Sequence, residues 1–137
     1  MATVKITKTS VEKARKRILS VAAAITNGSS RGLREWGEET ILLAKERCPV
    51  DTGTLKSTGM SRLVENSGSS SGTSVLELSF GGPAAKYAFI VHEGVRNGRP
   101  IHFHYGQAKF LESAIDEKKS VLKEAVMSSI EREMGRK

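Results

Sequence analysis

The chain has 137 residues, 38% of them hydrophobic and 5% aromatic, and a formal net charge of +7. That length predicts one domain with a modest core of Ala, Val, Leu and Ile rather than large aromatic anchors. One cysteine excludes an intrachain disulfide framework, the opening Met-Ala-Thr-Val-Lys does not read as a signal peptide and none is expected, and no segment reaches the ~20 apolar residues of a membrane span.

The charge is uneven. Residues 1–35 carry eight Lys/Arg against two Glu, residues 36–105 carry seven of each sign, and residues 106–137 carry seven against six. A basic cluster attracts phosphates, so a nucleic-acid-binding protein using the N-terminal helix is the alternative reading. Residues 1–35 contain no Phe, Tyr or Trp to interleave with the bases. The run is therefore read as a solvated face or a match for an acidic protein partner.

In chain order, Val4 and Ile6 alternate with lysines and predict a short strand over 3–7. Ser10 is the expected N-cap of a helix in which Val11, Ala14, Ile18, Val21, Ala22 and Ile25 form one apolar stripe. Asn27-Gly28 is a natural helix stop. Leu33, Trp36, Gly37, Thr40, Ile41 and Ala44 then recur at helical spacing, with Gly37 placed for close helix packing. The Asn-Gly-Ser-Ser stretch either separates two helices or only bends a single long one.

Pro49, Asp51, Thr52, Gly53 and Leu55 predict a rigid corner. Proline stops the helix, Asp51 and Thr52 can bond back to the backbone, Gly53 supplies an unusual dihedral, and Leu55 re-enters the core. Met60–Val64 reads as a strand, residues 66–74 as a flexible Gly/Ser hairpin tip, and Val75–Phe80 as a strand burying Leu76, Leu78 and Phe80. Lys86–Glu93 reads as a strand apolar on both faces, with Tyr87, Phe89 and Val91 on one side and Ala88, Ile90 and His92 on the other. Residues 94–106 form a loop bearing His102 and His104. A final helix over 107–133 carries Phe110, Leu111 and Ala114. The order β-α-α-β-β-β-α predicts an α+β fold: a small, mainly antiparallel sheet with long helices on one face, its exposed edges suited to pairing in a ring of subunits.

The chemistry is sparse. His102-x-His104 on a strand would put two rings on one side, and His92 or Glu93 could complete a metal set, the basis of a metal-dependent hydrolase reading. Yet His92-Glu93-Gly94-Val95-Arg96 lacks the second histidine of a zincin motif, and there is no cysteine pair. The serines cluster in caps and the hairpin tip, without a Gly-x-Ser-x-Gly elbow or a phosphate-binding glycine loop. The histidines are read as contact residues, and neither enzyme activity nor a cofactor or metal is expected.

Three blocks, Cys48-Pro-Val-Asp-Thr-Gly-Thr-Leu-Lys-Ser57, Lys86-Tyr-Ala-Phe-Ile-Val-His-Glu-Gly94 and Ala108-Lys-Phe-Leu-Glu-Ser-Ala-Ile115, stand in this order over about half of the chain. Together they resemble the small tail-component family of long-tailed bacteriophages, the tail-completion or head–tail joining neck proteins. Glu93 and Gly94 match the family's usual pair after the aromatic segment. Lys109 stands where the family tends to have proline. The resemblance implies a structural virion protein, made in the host cytoplasm and assembled as a homo-oligomeric ring of six-fold symmetry. Its implied partners are the tail tube and a head-side connector or stopper, with genome DNA passing through unread and no membrane involved. It implies a subunit or partner interface at Tyr87, Phe89, Val91, His92, Glu93, His102 and His104, and helix docking through Phe110, Leu111 and Ala114.

Overall fold

The computed structural model describes residues 2–51, 53–65, 74–83 and 85–135. It is α+β: a long helix, α1 (Lys8–Arg47), a one-turn helix α2 (Thr54–Ser57), an antiparallel pair β1 (Met60–Glu65) and β2 (Ser74–Ser79), and a short α3 (Ala88–Glu93). A second ribbon, β3 (Val95–Arg96) and β4 (Arg99–Pro100), leads to α4 (Phe110–Lys118), a 3₁₀ turn over Lys119–Val121 and α5 (Leu122–Met134). The hairpin tip expected at 66–74 lies, apart from Ser74, outside the described residues.

Three expectations are corrected. No strand forms at 3–7, where the backbone is irregular and exposed, because nothing lies beside it to complete a ladder. The cap is Thr7, whose Oγ1 accepts from the Ser10 N–H at 3.1 Å, three residues ahead of the expected Ser10. Nor does Asn27-Gly28 stop the helix. α1 runs unbroken for 40 residues, about 60 Å.

Tertiary packing overrides that stop. A Cβ on Gly28 would lie 2.5 Å from Ile130 Cα, and one on Gly32 2.8 Å from Val126 Cα. The two glycines thus let α5 run back along α1 at backbone contact, at a helix-propensity cost of about 1 kcal/mol each. Arg31–Glu133 (2.7 Å) and Arg132–Glu35 (3.1 Å) flank the seam. Gly37 also permits close approach, but to the β1–β2 ribbon rather than to a helix: its Cβ would meet Ser61 Oγ and Leu76.

The bend between α4 and α5 is pinned to α1. The Leu122 N–H donates to the Lys119 carbonyl, as a 3₁₀ turn requires, and the Lys118 carbonyl accepts from the Trp36 indole Nε1 at 2.8 Å. Trp36 is buried. A Trp36→Phe variant keeps most of the apolar surface and strands that carbonyl, so a loss of about 1–2 kcal/mol is expected in urea unfolding.

The ribbon behaves as its alternation predicts. Met60 pairs with Ser79 and Leu63 with Leu76, and Leu76, Leu78 and Phe80 are the sheltered side. Below it a core forms from Cys48, Leu55, Ala85 and Phe110, with Phe80, Ala88, Val91 and Leu111 packed around it.

Candidate functional site

The corner expected after α1 is present, with an extra turn of helix. Gly53 has φ 83, Leu55 is buried, and α2 closes with the Ser57 N–H donating to the Gly53 carbonyl at 3.0 Å. Thr58 Oγ1 donates to the Leu55 carbonyl at 2.6 Å and accepts from the Gly81 N–H at 2.8 Å, tying the corner to the end of β2. Thr52 lies outside the described residues.

The expected strand at 86–93 is instead helix α3, and this is the main correction. A short apolar run has no periodicity that separates strand from helix. In the helix Ala88 and Val91, three residues apart, turn to the core, while Phe89, Ile90 and the N-cap Tyr87 are exposed. Phe89 is 75% exposed. Gly94 ends the helix at φ 72, its N–H reaching the carbonyls of Ile90 and Val91, a stop that Glu93-Gly94 could have announced. The loop expected over 94–106 likewise hides a hairpin. Asn97 (φ 52) and Gly98 (φ 74) make its two-residue turn between β3 and β4, and the Asn-Gly pair was its legible mark.

These elements enclose an open groove of about 420 Å³. The corner supplies Pro49, Val50, Asp51 and Leu55; α3 supplies Val91 and its N-cap Tyr87; the following loop supplies Ile101, His102, Phe103, His104 and Tyr105. Backbone contacts hold the loop there. The Gln107 N–H donates to the Arg47 carbonyl at 2.9 Å, and Gly106, at φ 82, would place a Cβ 2.5 Å from Pro49 N. Of the seven interface residues expected from sequence, the fold therefore gathers Tyr87, Val91, His102 and His104. Phe89 points elsewhere on α3, and His92 and Glu93 face α4.

On that second side the Lys109 N–H donates to the His92 carbonyl at 2.6 Å, and the His92 ring meets Phe110 edge-on at 5.1 Å. Lys109 Nζ lies 2.5 Å from Glu93 Oε2, and Glu93 Oε1 is 3.4 Å from His92 Nδ1. Lys109 sits at φ 56, a dihedral that a proline ring, locked near −65°, cannot adopt. The entry into α4 thus follows a path that proline would forbid. Phe110 and Ala114 are fully buried and carry α4's docking onto α1 and the core, while Leu111 is half-buried.

The Lys109 ammonium, and secondarily His92, hold the Glu93 carboxyl below its ordinary 4.5, and Glu93 in turn raises Lys109. A group with a depressed folded value stabilises above its unfolded value and loses that contribution as pH falls through the folded one. Wild type should therefore melt above Glu93→Gln at neutral pH. The gap should narrow below pH 4.5 and close beneath the lowered Glu93 value, as read from melting temperature against pH.

The groove offers apolar walls, two tyrosines and two exposed histidines at its rim. That arrangement suits an apolar side chain or peptide segment of a partner. Among the described residues no group of three or more His, Cys, Asp and Glu forms that could hold a metal ion. Cys48 lies behind the corner, fully buried. Burial pushes its thiol up to about 11, away from the range of a reactive nucleophile. No helix among the described residues is long and apolar enough to cross a membrane. No family model, no curated protein and no solved structure matches the chain.

Proposed function

We propose that this protein is a structural virion component of a tailed phage, a subunit of a ring at the neck that completes the tail and joins it to the head-side connector around the DNA channel. The observation that carries this reading is the uncovered apolar surface at α3, where Phe89 and Ile90 stand exposed and Tyr87, at the helix start, is exposed on the groove. Large apolar side chains concentrated in solvent along one short segment suit an interaction site. The order of the three sequence blocks supplies the context. In the ring, α3 and the groove meet neighbouring copies, and the tail tube and connector bind the two rims. The contribution is geometric, and DNA passes without being read.

Deleting the gene from the phage that encodes it should leave filled heads and tails unjoined, with joining restored by added protein. Phe89→Asp, at an exposed position, should fold normally and fail to restore it. Joined, infectious particles without the protein would overturn the reading.

A further inference from the structure

Among the described residues nothing covers the first turns of α1. Every residue from Ala2 to Ala23 is exposed. Yet Val11, Ala14, Ile18, Val21 and Ile25 follow alternating steps of three and four, and the same steps continue to Gly28 and Gly32. That is the heptad seam of a helix made to pack lengthwise on another. α5 covers it at Gly28 and Gly32 and stops with Met134 beside Val21 and Ala24. Upstream, Ile18 is left 69% exposed. Lys8 and Arg15 flank the open seam on one edge and Lys13 and Arg17 on the other. Apart from Arg15 near Glu12 at 4.0 Å, none of these four pairs with an acid among the described residues.

A complementary surface exists on the same chain. Leu111 and Ile115 of α4 floor a shallow cavity of about 210 Å³, with His92 at one end and Glu112 and Asp116 on its rim. Among the described residues these acids pair with exposed neighbouring lysines, Lys109 at 3.7 Å and Lys119 at 3.2 Å. Such pairs are weak and open to exchange. The two surfaces cannot meet within one molecule. α4 packs near Arg47, which bonds Ser113 Oγ at 3.2 Å, and Ile18 lies about 40 Å up the same rigid helix.

We infer that the open seam of α1 docks on the α4 groove of a second copy, Ile18 and its neighbours against Leu111 and Ile115, with Arg and Lys opposite Glu112 and Asp116. The inference rests on the ring reading above and adds the contact that links successive copies. Unlike patches meet, so the contact is head-to-tail, the kind that closes rings. Two seams laid on each other would instead crowd their four bases apiece, which disfavours self-pairing of α1.

The test uses the full chain. One preparation carries Ile18→Cys and another Ile115→Cys; buried Cys48 stays silent. On oxidation of the mixture, 18-to-115 disulfides should dominate over 18-to-18. In sedimentation, Lys13→Glu/Arg17→Glu should weaken self-association at least tenfold, and mixing with Glu112→Lys/Asp116→Lys should restore it. Ile18→Asp should abolish it while leaving the melting temperature unchanged. Dominant 18-to-18 links, indifference to both charge reversals, or a wild type monomeric at millimolar concentration would each overturn the inference. So would duplex DNA binding that depends on Lys13 and Arg17 but not on Ile18. Phage particles that still need the protein for joining would in those cases leave the neck reading standing.

Discussion

Gly28→Val should lower stability by about 3 kcal/mol and the melting temperature by about 10 °C. Valine is a better helix former than glycine, so propensity alone predicts a gain. The loss is steric: the new Cβ would sit 2.5 Å from Ile130 Cα, a backbone atom that moves only if α5 moves. Separating the helices also weakens Arg31–Glu133 and Arg132–Glu35 beside the seam. Ala23→Val, on the exposed face five residues earlier, is the control and should change stability by less than about 0.5 kcal/mol. Equal behaviour of the two variants in denaturant unfolding would show that α1 and α5 do not touch at Gly28.

The second large effect is expected at Phe110→Ala, about 3–5 kcal/mol. Phe110 is fully buried at the start of α4, edge-on to Phe80 at 5.0 Å and to His92 at 5.1 Å, within the cluster of Cys48, Leu55 and Ala85. Among the described residues it is the one fully buried aromatic, and it sits where corner, ribbon, α3 and α4 meet. Removing it leaves a cavity that these elements, tied by backbone hydrogen bonds, cannot collapse to fill. Hydrogen exchange should report faster opening of α3 and α4 together, while the α1–α5 seam, which does not include Phe110, keeps its protection. Uniform acceleration would instead mean that the chain opens as one unit.

Much of this was legible in the residues. The alternation of Val75–Phe80 specified a strand with one sheltered face, the Pro49–Leu55 pattern a corner with Leu55 inside, and Phe110 with Ala114 a helix bound for the core. Two further local marks stand in the sequence: Asn97-Gly98 for a hairpin and Gly94 for a helix end. For the candidate site, seven interface residues were expected, and the groove holds four of them, Tyr87, Val91, His102 and His104, without Phe89, His92 and Glu93. Only folding made them neighbours, by laying the loop from Ile101 to Gln107 across the corner through the Arg47 carbonyl.

Sequence alone thus determined composition class, charge polarity and the elements whose periodicity has a single solution. The tertiary structure decided every case in which two solutions were locally close. Asn27-Gly28 is a stop in isolation and a contact once α5 needs Gly28 for close approach, because backbone packing along a whole helix outweighs about 1 kcal/mol of propensity. The run from Tyr87 to Val91 suits either a strand or a helix, and it became a helix where Ala88 and Val91 could reach the core, with no strand among the described residues alongside to pair.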